Sequence, residues 1–132
     1  MTGTVVQVSV SAGGVPNHPI DCGAVTVSGL FDLEPLTRAA FVRDDLRLDR
    51  VLTRALSPAF LPWRNDVPVV RAVGSEESAE FHRQSTLIAS AWPQACRQEL
   101  IEVPGCNHFS VCDTLAERGS VLFRSVTDLL LR

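Results

Sequence analysis

His108 lies in the stretch "IEVPGCNHFSV" (101–111), where an apolar run ends at Pro104 and Gly105 and a turn follows. Histidine is the side chain whose charge changes near neutral pH, so one held at the tip of a turn is suited to moving protons. In hydrolysis it needs two partners: a carboxylate that fixes its tautomer and a group whose proton it removes. Acids are present in "EESAE" (76–80), although charge at the start of a helix is also what the helix dipole favours there.

A metal is the other way to hold such chemistry. Cys22, Cys96, Cys106 and Cys112 show no C-x-x-C spacing, and the histidines are far apart. Zinc ligands come in pairs at short, regular spacing, so no metal is expected, and hydrolysis by a histidine and its partners calls for no organic cofactor. Reduced thiols in a cytoplasmic protein are the simpler reading.

Composition narrows the partners. The 132 residues suffice for one domain with one core, and 45% apolar with 20% charged residues is globular usage. A net charge of −3, with no basic cluster, argues against nucleic acid, which needs a cationic footprint. No apolar run approaches the roughly 18 residues of a membrane span. The opening "MTGTVVQV" lacks the basic, then hydrophobic, pattern of a signal peptide.

The elements that must position these groups alternate. β-branched runs bounded by Gly or Pro predict strands at 4–10, 24–28, 67–73 and 98–103. Helical spacing predicts helices at 44–56, with Leu46, Leu48, Val51, Leu52 and Leu56 mostly on one face, at 78–92 behind Ser78 as N-cap, and at 120–131. Such alternation implies an α/β fold with a largely parallel sheet. Residues 11–23 form a short Gly- and Pro-containing link between the first two strands. It either pairs them antiparallel or marks a lost crossover, since a parallel connection needs a dozen or more residues.

From Ala24 onward the chain resembles the α/β-hydrolase superfamily, closest to kynurenine formamidase-like (arylformamidase-like) esterases. The matching segments are "VSGLFDLEPL" (27–36), "LSP" (56–58), "PVVRAVGSEESAEFHRQS" (68–85) and "VPGCNHFSV" (103–111), in the family's order. The resemblance implies that His108 is the general base and acid and that Glu77 is its orienting carboxylate, with Glu76 the neighbouring alternative. Asp32 and Glu34 read as turn and cap residues, Ser57 as structural, and His82 and Arg83 as a solvated helix face.

The family's nucleophile should stand on a G-x-S-x-G elbow before the acid. The nearest stretch is "SVSAGG" (9–14), which makes Ser11 the candidate, but Ser9 replaces the first glycine and no elbow helix or oxyanion loop accompanies it. The same region is similar to the opening of MOSC domains, whose "S-x-GGVPK-x-P" compares with "SAGGVPNHP" here, Asn17 standing for the lysine. Ser11 is thus either an elbow remnant or a MOSC-like loop serine.

Together these readings predict a single domain over 1–132: an atypical strand and loop at 1–23, then the C-terminal half of an α/β-hydrolase at 24–132. About four mainly parallel strands and flanking helices are expected. The implied activity is hydrolysis of a small-molecule carboxylic ester or N-formyl amide by Ser11, His108 and Glu77. The rival is a truncated, non-catalytic remnant acting in binding or subunit interaction, and a MOSC-type sulfur carrier is the third reading. With further strands missing, "TVVQVSV" becomes an unblunted sheet edge, and a homo-oligomer pairing through it is expected.

Overall fold

The computed structural model describes residues 6–11, 21–62 and 68–131. Thr4, Val5, the link at 12–20 and Val67 lie outside these residues, and with them the MOSC-like loop. Within them, one sheet has the order β1 (Val6–Ser11), β2 (Asp21–Val27), β3 (Val69–Gly74), β4 (Ile101–Val103), the order of the chain itself. β2, β3 and β4 run parallel. β1 runs antiparallel to β2, Val6 opposite Val27 and Ser11 opposite Asp21. The two strands therefore pair antiparallel, the first of the two alternatives the sequence left open.

Both faces of the parallel strands are covered, and every residue of β3 is buried, as parallel sheets require. One face stacks Val25, Val27, Val70, Ala72 and Val103 against Val111 and against Leu122 and Leu129 of α4 (Val121–Leu130). The other packs Val69 and Phe31 against Ile88 of α3 (Ala79–Ala91) and against Ala95 and Cys96. α4 starts where expected: Ser120 Oγ accepts from Phe123 N–H at 2.9 Å and donates to Thr114 O at 2.6 Å. Ser78 precedes α3, but its hydroxyl makes no capping bond.

Two elements depart from the sequence reading. The helix expected over 44–56 is two, α1 (Ala40–Leu46) and α2 (Arg50–Leu56), broken at Arg47 with a left-handed φ of 50°. Asp49 Oδ1 accepts from Leu52 N–H at 2.7 Å, so Asp49 starts a new helix rather than continuing the old one. Of the predicted apolar stripe only Leu48 is buried, whereas Leu46, Val51, Leu52 and Leu56 face solvent. β4 is also shorter than 98–103, because Gln98 O accepts from the buried Arg71 guanidinium at 2.6 Å instead of joining the ladder. Short 3₁₀ turns at Glu34–Arg38, Pro58–Phe60 and Ser110–Ala116 carry no apolar period and were not anticipated. No helix among the described residues is long and apolar enough to cross a membrane.

Candidate active site at the carboxyl edge of the sheet

β2, β3 and β4 all end at the same edge of the sheet, and the turns that follow them converge there. The β3 exit is built around Gly74. A Cβ at that position would lie 2.2 Å from Cys106 O, so only glycine lets the turn after β4 pack so closely on the turn after β3. Three main-chain bonds seal the contact and the turn: Ser75 N–H to Val103 O at 3.0 Å, Glu76 N–H to Cys106 O at 3.0 Å, and Glu77 N–H to Gly74 O at 3.1 Å. Gly105 supplies the left-handed φ of 67° that bends the second turn, and its N–H donates to Ser75 Oγ at 2.9 Å.

This packing brings Glu77 and His108 together. Glu77 Oε2 lies 2.9 Å from His108 Nδ1, with the carboxylate side chain wholly buried and the imidazole 18% exposed. A buried carboxylate is costly unless its oxygens are paired. Here Oε1 accepts from Gly74 N–H at 2.8 Å and from the Ser28 hydroxyl, leaving Oε2 to the imidazole. An ionised carboxylate can only accept, so the Nδ1–H tautomer is the one that completes the contact and leaves Nε2 as the basic nitrogen.

The ring is fixed on its other sides as well. His108 stacks on Phe81 of α3, with centroids 4.3 Å apart and planes at 22°, and meets the edge of Phe109 at 5.7 Å. Its turn is fixed by Asn107, whose Oδ1 accepts from Phe109 N–H at 2.9 Å and Ser110 N–H at 3.0 Å. Phe109 itself stands 69% exposed beside the imidazole. Cys112 lies near enough to Glu77 to feel its charge. Burial, then the charges of Asp113 and Glu77, push it above the ordinary thiol range, so little thiolate is present near neutral pH.

The remaining sequence candidates fall elsewhere. Ser11 ends β1 opposite Asp21, at the far end of β2 from Ser28, so its backbone is about 20 Å from the dyad edge at roughly 3.3 Å per residue. The structure thus does not bring Ser11 to Glu77 and His108, because the strand that carries it runs the opposite way. Glu76 is exposed and engages the site only through its N–H. Asp32 Oδ1 caps its own turn by accepting from Glu34 N–H at 3.0 Å. Ser57 is fully buried, donating to Thr53 O at 2.6 Å and accepting from Leu33 N–H at 2.8 Å. His82 pairs with Glu102 at 3.4 Å. Arg83 pairs with Glu80 at 2.8 Å, which lowers the Glu80 carboxyl below its usual range.

Sequence reasoning missed Ser28 and Gly74. Their signal was present in kind, a serine just before glycine at a strand end in "VSG" and a glycine at the next strand end in "AVGSEE". Neither pattern marks a hydrogen bond to Glu77, which lies 49 positions from Ser28 and three from Gly74. Among the described residues no cluster of His, Cys, Asp and Glu is arranged to hold a metal ion.

No protein-family model and no curated protein matches the chain. Among solved structures it is similar to the crystal structure of a "putative thioesterase" from Silicibacter sp. TM1040, at 29% identity and a TM-score of 0.68. The match covers 78% of this chain and 37% of that one, so the chain spans little more than a third of the length of the solved protein. The neighbour's name is that of a hydrolase, and the likeness reaches this chain as an α/β arrangement with an open sheet and flanking helices.

Proposed function

We propose that the chain is a single domain built as the C-terminal half of an α/β-hydrolase and that Glu77 and His108 are its proton-transfer pair. The observation that carries this is the 2.9 Å contact between a fully buried carboxylate and a partly exposed imidazole where parallel strands end. In open α/β sheets ligands collect outside that edge. The chemistry that fits is acyl hydrolysis of a small ester, thioester or N-formyl amide, thioester being added by the neighbour's name.

In this reading Glu77 accepts the Nδ1 hydrogen bond and stabilises the imidazolium. His108 Nε2 removes the proton of the attacking oxygen and returns it to the leaving group. With Ser11 at the far end of β2, the attacking group is water. The exposed ring of Phe109 offers the apolar wall for the acyl substrate. The setting that fits is the cytoplasm, with Cys96, Cys106 and Cys112 remaining free thiols.

General-base assistance typically contributes 10²–10⁴ in rate, and a missing oxyanion donor removes about 10²–10³. The expected result with p-nitrophenyl acetate is therefore slow turnover that falls at least about tenfold in His108→Ala and is unchanged in Ser11→Ala. Wild-type turnover equal to that of His108→Ala defeats the enzymatic reading. Loss of turnover in Ser11→Ala, with labelling of Ser11 by a fluorophosphonate, restores the serine mechanism.

A second reading is favoured by two separate observations: Leu46, Val51, Leu52 and Leu56 of α1 and α2 are exposed, and β1 ends the sheet order among the described residues. Exposed apolar side chains, when they cluster, are commonly covered by a partner, and an uncharged edge strand is a template for another. A second copy of the chain is the partner proposed. Light scattering coupled to size exclusion should find about twice the 14.4 kDa chain mass, and a single species at the chain mass rules association out.

A further inference from the structure

We infer that Ser28 is a positioning residue for the Glu77–His108 pair: its hydroxyl, together with Gly74 N–H, holds Glu77 Oε1 so that Oε2 is presented to Nδ1. The inference deepens the dyad reading above and rests on it, but can be tested without turnover.

Ser28 follows β2 directly, and its N–H still extends the ladder by donating to Ala72 O at 2.9 Å. Its φ is 51°, a conformation that L-residues adopt at a cost and that glycine or asparagine fills more easily. A serine in that conformation is unfavourable for the backbone alone. Its compensation is visible in the side chain, which is 2% exposed and donates to the buried carboxylate 49 positions later. The donor acts on one oxygen only. Gly74 N–H reaches the same Oε1 at 2.8 Å, so two donors from different strand ends set the carboxylate plane. The second oxygen is left with the imidazole. Neutral donors favour the charged carboxylate over its acid form and restrict its rotation. The Ser28 hydroxyl donates to Glu77 and not to His108, so its effect on the imidazole passes through Glu77.

The consequence is measurable at His108. A carboxylate aimed at Nδ1–H favours the imidazolium, so loosening it should lower the midpoint of the His108 titration. Among the described residues Cys112 also feels the Glu77 charge; pushed above the ordinary thiol range by burial, then by Asp113 and Glu77, it stays neutral through that titration.

The test is the pH titration of the His108 ring proton by NMR in four proteins: wild type, Ser28→Ala, Ser28→Gly and Ser57→Ala. Ser28→Gly removes the hydroxyl while relieving the left-handed backbone, so it remains folded even if Ser28→Ala does not. Ser57→Ala removes a different fully buried hydroxyl and controls for lost stability. Both Ser28 variants are expected to lower the His108 midpoint by about half a pH unit or more, while Ser57→Ala lowers the melting temperature and leaves the midpoint in place. An unchanged midpoint in Ser28→Gly overturns the inference, even if turnover is seen. A lowered midpoint upholds it, even if the protein hydrolyses nothing.

Discussion

Gly74→Ala is expected to destabilise the protein by about 3 kcal/mol or more, a large share of the roughly 5–15 kcal/mol available to a domain. The new methyl would stand 2.2 Å from Cys106 O and 2.8 Å from Cys106 C, both main-chain atoms that no rotamer change can clear. Relief requires the turn after β4 to move away. That movement breaks Glu76 N–H to Cys106 O, loosens Ser75 N–H to Val103 O, and shifts the Gly74 N–H that holds Glu77. Urea denaturation gives the size of the loss. Gly105→Ala is the comparison, because its Cβ meets open space and its cost comes from the left-handed φ alone, about 1–2 kcal/mol. Equal losses in the two variants would mean that close approach at Gly74 is not what holds the edge together.

The second large effect is expected at Gln84, which is 1% exposed at the centre of α3. Its Oε1 accepts from Phe31 N–H and Asp32 N–H, and its Nε2 donates to Asp32 O and Glu80 Oε1, each at 2.8 Å. One amide therefore satisfies the backbone of the segment that leaves Ser28. Gln84→Leu keeps much of the volume and removes all four bonds, stranding at least one buried N–H. At about 1–3 kcal/mol for each unsatisfied buried group, a loss near 3 kcal/mol is expected. Hydrogen exchange should localise it, with the Phe31 and Asp32 amides exchanging far faster than those of β3. Protection at those two amides equal to wild type would show that the segment is held by packing on Phe31 and Trp92 rather than by the amide.

What the sequence made legible divides along physical lines. α4 was readable because its apolar residues repeat at the helical period, β3 because its β-branched run is bounded by proline and glycine, and α3 because Ser78 and Pro93 bracket it. The juxtaposition of Glu77 and His108 was readable through the resemblance of the two turns and their spacing, not their roles. The direction of β1 was not, since a strand carries the same alternation whichever way it runs and only the shortness of the 11–23 link spoke for a hairpin. Ser11 went with it: a serine pattern locates a loop, not the end of the sheet on which the loop falls. The α1–α2 break was hidden because Asp49 and Leu48 fit one long amphipathic helix as well as a cap and a buried anchor. The bond from Ser28 to Glu77 spans 49 positions and follows from three-dimensional packing alone.

Strand order equal to chain order also governs how the fold can assemble. Each strand docks on the edge left by its predecessor, and none must be threaded between two that are already paired. The β1–β2 closure is short in sequence, whereas the parallel pairings close over the helical segments between Val27 and Val69 and between Gly74 and Ile101, so these non-local steps are the slow ones. During synthesis the sheet can extend in one direction as the chain emerges, beginning from the β1–β2 pair. Glu77 arrives with β3 and finds Ser28 and Gly74 waiting, whereas His108 follows β4. In chain order, both donors to Glu77 Oε1 therefore precede the imidazole that Oε2 meets.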